Sequence, residues 1–151
     1  MDQAQTFQQL TDFWNNSMLF NQLLGLEITQ FDSKQSEVRF EWQDKLIGNP
    51  VQKILHGGVT ATALDLVGGV VAAASIIEQL DDVTMENVQK SLAKLSTIDM
   101  RTDYLRPGRG EHFIATAKII RGGKKVAVTR MELHNEKGEH IAFGTGTYMV
   151  G

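Results

Sequence analysis

Residues 55–80, LHGGVTATALDLVGGVVAAASIIEQL, decide the fold. From Val59 to Ile77 the one charged side chain is Asp65, in a run of Val, Ala, Leu, Ile and Gly with a few hydroxyls. The run is too long for a strand and apolar on every face. A helix of that kind is wrapped or covered on several sides. Gly68, Gly69 and the alanines keep its hydrophobicity modest for a membrane span, and a mid-helix Asp costs roughly 2.5–3.5 kcal/mol on insertion scales. The expectation is a buried helix with no stable membrane insertion.

Outward from this helix the pattern changes to period two. Val38, Phe40 and Trp42 alternate with Glu37, Arg39 and Glu41, a half-buried strand, and Leu26 to Asp32 forms another before it. Further on, the spacing predicts four strands at about Thr97–Leu105, His112–Arg121, Lys125–His134 and His140–Val150. Their connections, at 107–110, 122–123 and 136–138, are short and turn-like, the last two suit hairpins, and such connections demand antiparallel neighbours. At the N-terminus Phe7, Leu10, Phe13, Trp14, Met18 and Leu19 predict an amphipathic helix over residues 3–22, broken near Asn15–Ser17. Met85, Val88, Leu92 and Leu95 suggest a short helix within 78–94. The sum is an α+β chain, one long helix against a mostly antiparallel sheet of about six strands.

With 151 residues, 42% hydrophobic and 22% charged, the chain has the length and balance of one globular domain over 1–151. Two prolines and no Ser-rich or charge-block stretch leave no place for a linker. A net charge of -3 argues against nucleic acid, which needs a basic face. No cysteine is present, which excludes disulfides and thiolate zinc sites and fits the cytoplasm. The opening MDQAQTFQQLTDFW lacks the basic-then-apolar order of a signal peptide. His56, His112, His134 and His140 show no zinc-like spacing with acids, so no metal and no cofactor is expected.

Asp65 is the most informative residue, because an acid inside an apolar helix needs partners. Two readings stay open for it: a reactive carboxylate, or a structural acid that caps a neighbouring element or pairs with an arginine. By helical phase Gly58, Ala61, Thr62, Gly68, Gly69, Ala72 and Ala73 share its face, while Leu64, Leu66, Val67, Val70 and Val71 lie on the others. That small-residue face suits a ligand or a second helix equally. His56-Gly57-Gly58 stands where helix N–H groups are unpaired, so it is either an opening turn or a set of donors for a developing oxyanion, with Gly58 letting a substrate come close. Gly57 and Asp65 are separated by roughly 12 Å along the axis at about 1.5 Å per residue. One copy therefore cannot bring both to the same atom, whereas two antiparallel copies can. Arg106, Arg109, Arg121, Lys124 and Lys125 gather near turns, as solvated charge or as partners for phosphate.

Leu55-His56-Gly57-Gly58 opening a helix with Asp65, followed by Thr97-Ile98-Asp99-Met100-Arg101-Thr102-Asp103-Tyr104-Leu105-Arg106-Pro107, resembles the hotdog-fold acyl-CoA thioesterases of the PaaI-like group, nearest the YigI-like branch. The resemblance spans about Leu24 to Met149 and implies a hotdog fold acting on acyl-CoA as a homodimer or homotetramer. It matches Asp65 to the helix carboxylate that serves as general base or nucleophile. Gly57 matches the residue whose N–H polarises the thioester carbonyl, and His56 the neighbour that helps place it. Asn49 resembles the residue that orients water or substrate, and Thr97 the hydroxyl beside the acid. Arg121-Gly122-Gly123-Lys124 is similar to the turn near the coenzyme A nucleotide. A hotdog hydratase or dehydratase and a non-catalytic acyl-CoA-binding module remain as alternatives.

Overall fold

A computed structural model describes residues 2–151. Helix α1 (Gln3–Ser17) starts on a capping box, Asp2 accepting from the Gln5 N–H at 2.7 Å. It ends at Met18, where φ -85° and ψ 86° turn the chain into α2 (Leu19–Leu24), closed by Gly25 at φ 74°. The break thus falls just past the expected Asn15–Ser17, and the helical region runs on to Leu24. Strands β1 (Glu27–Gln30) and β2 (Ser36–Glu41) follow, then α3 (Gly57–Glu78) and α4 (Met85–Leu92). The last four strands are β3 (Ser96–Tyr104), β4 (His112–Gly122), β5 (Val126–Asn135) and β6 (His140–Met149).

All six strands form one antiparallel sheet in the order β1-β2-β4-β5-β6-β3. The turns at 122–125 and 136–139 close hairpins as their sequences suggest. The connection at 105–111 does not: β3 is not the neighbour of β4 but crosses to the far edge and pairs with β6. Its exit is pinned by the Leu105 and Arg106 N–H groups, both donating to Ile141 O, and by the Leu55 N–H donating to Gly108 O. A short turn-like linker with Pro and Gly suggests antiparallel neighbours, and only the pairing with β6 shows that it is a crossover.

The sheet curls around α3, which packs on β2, β3, β4, β5 and β6. Its mean hydropathy reaches 1.8 over a window long enough for a membrane, yet 67% of that window is buried inside the protein, so it is the core helix. Val67, Val70, Val71, Ala73 and Ala74 pack with Val38, Phe113, Met131 and Leu133 of the sheet. Gly68 is required by a close approach: a Cβ there would collide with the Tyr148 hydroxyl.

The two sheet edges differ. At β1, the Asn15 carboxamide accepts from the Ile28 N–H at 2.8 Å and donates to Ile28 O at 3.0 Å, so α1 seals the edge. Along the free side of β3 no such bond is found among the described residues, and Ile98, Tyr104 and Leu105 are about half exposed there.

Candidate active site

Asp65 sits at mid-helix on α3, half-buried, at the wall of a cavity of about 450 Å³. Its Oδ1 accepts from Thr97 Oγ1 of β3 at 2.9 Å and from Tyr148 Oη of β6 at 3.2 Å. The same phenol lies 3.0 Å from the Asp65 carbonyl. Two hydroxyls from two strands thus fix one carboxylate oxygen and leave Oδ2 without a hydrogen-bond partner among the described residues. Neither of the structural partners weighed for Asp65, an arginine or a neighbouring helix end, is present among the described residues.

Trp14, Met18, Phe20 and Asn21 from α1 and α2 close one side of the cavity, and Leu95, Met100, Leu66 and Gly69 line it further in. The helical-phase assignment needs two corrections here. Ala61, Thr62 and Gly69 do line the cavity, but Gly68 faces Tyr148, and Ala72 and Ala73 are wholly buried. Leu66, assigned to the packing face, lines it instead. A helical wheel distributes residues by angle, whereas the edge of the cavity is set by where β6 and the N-terminal helices stop.

Tyr148 could not be read from the sequence as a functional residue, because its alternation marks it only as core. It is 1% exposed. Burial, together with the adjacent Asp65 carboxylate, holds its phenol far above the ordinary range, so it remains a neutral donor.

His56 is the N-cap of α3, and its Nδ1 accepts from the Gly58 N–H at 2.8 Å. A nitrogen that accepts carries no proton, so the neutral ring bears its proton on Nε2. This bond occupies the Gly58 N–H and leaves the exposed Gly57 N–H as the donor without an acceptor among the described residues. The Gly57 carbonyl accepts from Tyr104 Oη at 2.7 Å, tying the first turn of α3 to β3. Asn49 folds into its own turn, its Oδ1 accepting from the Val51 N–H at 3.0 Å, and does not line the Asp65 cavity.

The basic residues do not form one cluster. Arg106 and Arg109 lie just before β4, whereas Arg121 and Lys124 lie at its other end. At about 3.4 Å per residue the two groups are some 30 Å apart. Arg109 Nη2 bonds Gln52 Oε1 at 2.5 Å, and Arg106 Nη1 lies 3.7 Å from Glu139 Oε2. At the β4–β5 turn the Gly123 N–H donates to Val126 O at 2.9 Å, a Cβ on Gly123 would collide with that oxygen, and Arg121 and Lys124 are exposed. Because Thr97 pairs with Tyr148 and Ser96 and Val126 both pair with Met149, this turn shares a sheet end with Asp65. Arg106 shares the opposite end with Gly57.

The absence of a histidine–acid cluster, expected from spacing, is also corrected. Glu132, His134 and His140 bring donor atoms within 4.8 Å of one another. His134 and His140 are Cα partners across the β5–β6 hairpin, a contact that linear spacing does not reveal without the register.

A long core helix wrapped by a six-stranded antiparallel sheet, with its mid-helix acid facing a cavity at the sheet edge, is the hotdog arrangement. A thioesterase superfamily model matches residues 52–142, more than half of the chain, and the protein belongs to that superfamily. It is 46% identical over 134 residues to the medium/long-chain acyl-CoA thioesterase YigI of Escherichia coli strain K12, covering 89% of this chain and 86% of that one. Human acyl-coenzyme A thioesterase 13 is 24% identical over 150 residues, covering 98% and 96%. A crystal structure from Shewanella oneidensis, related to the thioesterase superfamily, superposes with a TM-score of 0.94 at 53% identity, covering 99% of this chain and 97% of that one.

The phenol makes the site's stability sensitive to alkali. Free tyrosine titrates near 10.0, so above that pH the unfolded chain releases a proton that folded Tyr148 keeps. The unfolded state then binds fewer protons, and stability falls by up to about 1.4 kcal/mol per pH unit. Urea unfolding at stepped alkaline pH is expected to show this slope in the native protein and a shallower one in Tyr148→Phe. Equal slopes would mean that Tyr148 ionises normally in the fold.

Proposed function

We propose that the protein hydrolyses medium- to long-chain acyl-CoA thioesters to the free acid and coenzyme A, at a site shared by two subunits. The observation that carries this reading is the Asp65 carboxylate, oriented by Thr97 and Tyr148 and lining a cavity with Trp14, Met18, Phe20 and Met100. An apolar slot beside a fixed carboxylate suits an acyl chain whose reacting carbon stops at the acid.

In this reading Asp65 acts as general base or as nucleophile. As base it takes a proton from water while the water oxygen bonds to the thioester carbon. The carbonyl electrons move onto oxygen and are met by the Gly57 N–H of the second subunit. On collapse the C–S bond breaks, and the thiolate of coenzyme A recovers the proton. His56 holds the Gly58 N–H and so shapes the turn that presents Gly57. Asn49 would act from the same loop in the second subunit. Support for the pairing comes from the bare edge of β3, since an unsealed strand of that length is a template for another chain. An antiparallel second copy would also bring Arg106 and Arg109, which travel with Gly57, to the sheet end that carries Arg121 and Lys124. The two basic groups would then meet the nucleotide from different subunits.

Thiol release assayed across acyl-CoA chain lengths tests the activity. Turnover is expected to rise from short to medium and long chains. A change in enoyl absorbance without thiol would mean a hydratase or dehydratase, and binding with neither change a binding module. Asp65→Asn keeps the shape and removes the base; it is expected to lower kcat by at least about 100-fold with the fold intact by circular dichroism. Wild-type turnover in this variant would remove Asp65 from the mechanism.

Sharing of the site has its own test. Asp65→Asn subunits mixed with subunits altered at His56 and Gly57 are expected to regain activity, about one intact site per heterodimer. Continued inactivity after demonstrated subunit exchange would place Gly57 and Asp65 in separate functions. For the nucleotide, Arg121→Ala with Lys124→Ala is expected to raise KM for acyl-CoA more than it lowers kcat, since a remote phosphate contact acts equally on ground and transition states. An acyl thioester without the nucleotide should be unaffected, and equal losses on both substrates would remove the turn from coenzyme A binding.

A further inference from the structure

On the face of the sheet turned away from α3, β5 and β6 carry three potential metal donors that the thioesterase reading does not use. Met131 and Leu133 point into the core, so Glu132 and His134, which alternate with them, stand on the outer face. His140 is opposite His134 in the register, and their rings stack at 4.5 Å with 9° between planes. The donor atoms of Glu132, His134 and His140 all lie within 4.8 Å of one another. From zinc–ligand bonds of roughly 2.0–2.1 Å, ligands of a tetrahedral ion stand about 3.3 Å apart, so the donors can share an ion once the stacked rings turn to aim both nitrogen lone pairs at it.

A second observation concerns His140. Its Nε2 is buried without a hydrogen-bond partner among the described residues, and Glu132 Oε1 at 3.8 Å is beyond hydrogen-bond reach. A buried polar atom left unpaired costs free energy that a ligand would recover.

The scaffold under the three donors is rigid. Between the two histidines the buried Asn135 accepts from the Lys137 and Glu139 N–H groups, both at 3.0 Å, and donates to Arg109 O at 2.8 Å. That turn fixes where His140 stands relative to His134.

We propose that Glu132, His134 and His140 form a binding site for a divalent transition metal of the zinc type, with a fourth position open to water. Two imidazoles and one carboxylate suit zinc and its neighbours in the first row; magnesium and calcium take oxygen donors. Lying across the sheet from Asp65, the ion would tie β5 to β6 beside their turn and take no part in hydrolysis.

Isothermal titration of the metal-free protein with Zn²⁺ at neutral pH tests this, together with the visible spectrum of the Co²⁺ form. One ion per chain and the strong bands of four-coordinate Co²⁺ are expected. His140→Ala should weaken Zn²⁺ binding by at least about tenfold, Glu132→Gln should weaken it too, and His134→Ala with His140→Ala should abolish it. His112→Ala, on the adjacent strand outside the set, should bind as the native protein does. If an alanine variant fails to fold by circular dichroism, His134→Gln with His140→Gln replaces it. No saturable binding to the native protein, binding that survives loss of both histidines, or equal loss in His112→Ala would each overturn the assignment.

Discussion

A helix apolar on all sides that carries a single carboxylate along its interior turns, with its only other acid, Glu78, exposed at its last residue, constrains everything around it. Thirteen of the 22 residues of α3 are buried, which forces the sheet to curl so that five strands reach the helix. The acid cannot be treated in the same way, because a carboxylate needs donors wherever water is excluded. The fold meets both demands by ending its enclosure at Asp65: β6 sends Tyr148 beneath the helix, β3 sends Thr97 to the rim, and the cavity begins beyond. Gly68 belongs to this solution, since any larger residue would displace the phenol.

The crossover of β3 to the far edge has two consequences. It delivers Thr97 to Asp65 and Tyr104 to the Gly57 carbonyl, so one strand touches both chemically distinctive points of α3. It also leaves the outer side of that strand unpaired, while the opposite edge is sealed by Asn15. In the proposed shared site, the same strand would hold the Asp65 half and expose the surface on which a second subunit could add the other. Gly57 and Asp65 stand roughly 12 Å apart on one rigid helix at about 1.5 Å per residue, which makes such an addition chemically useful.

Much of this was legible in residues 55–80 and in the period-two alternation of Val38, Phe40 and Trp42. Burial of an uninterrupted apolar helix and alternation in strands are local consequences of composition. The short helix around Val88 was legible on the same ground, being amphipathic. What escaped the sequence depends on pairing. The linker 105–111 suggests antiparallel neighbours because its residues favour turns, while the partner of β3 lies some forty residues further along the chain. His134 and His140 are six apart in sequence and opposite in register, so their contact needs the hairpin to be closed. Arg106 and Arg121 read as one basic group until β4 is laid between them. Tyr148 was hidden for a different reason: alternation identifies it as inward-facing but does not say that its hydroxyl ends at a carboxylate.

The contributions to the cavity divide along the chain. The groups that would do chemistry, Asp65, Thr97 and Tyr148, come from α3, β3 and β6, held by the hydrogen bonds of the sheet and by burial against the core. The far wall comes from Trp14, Met18, Phe20 and Asn21, on two helices joined by a one-residue break at Met18. These helices are anchored by Asn15 and by the packing of Phe7 and Trp14 on Phe31, at ring separations of 5.4 and 5.3 Å, and not through Asp65, Thr97 or Tyr148. α2 itself has no buried residue. Substitutions in α2 can therefore reshape the slot without moving the Asp65 carboxylate, whereas any change in the bulk of residue 68 or 148 moves the carboxylate and the slot together. In the proposed reading, preference for acyl length and competence for hydrolysis would thus rest on physically separable parts of the chain.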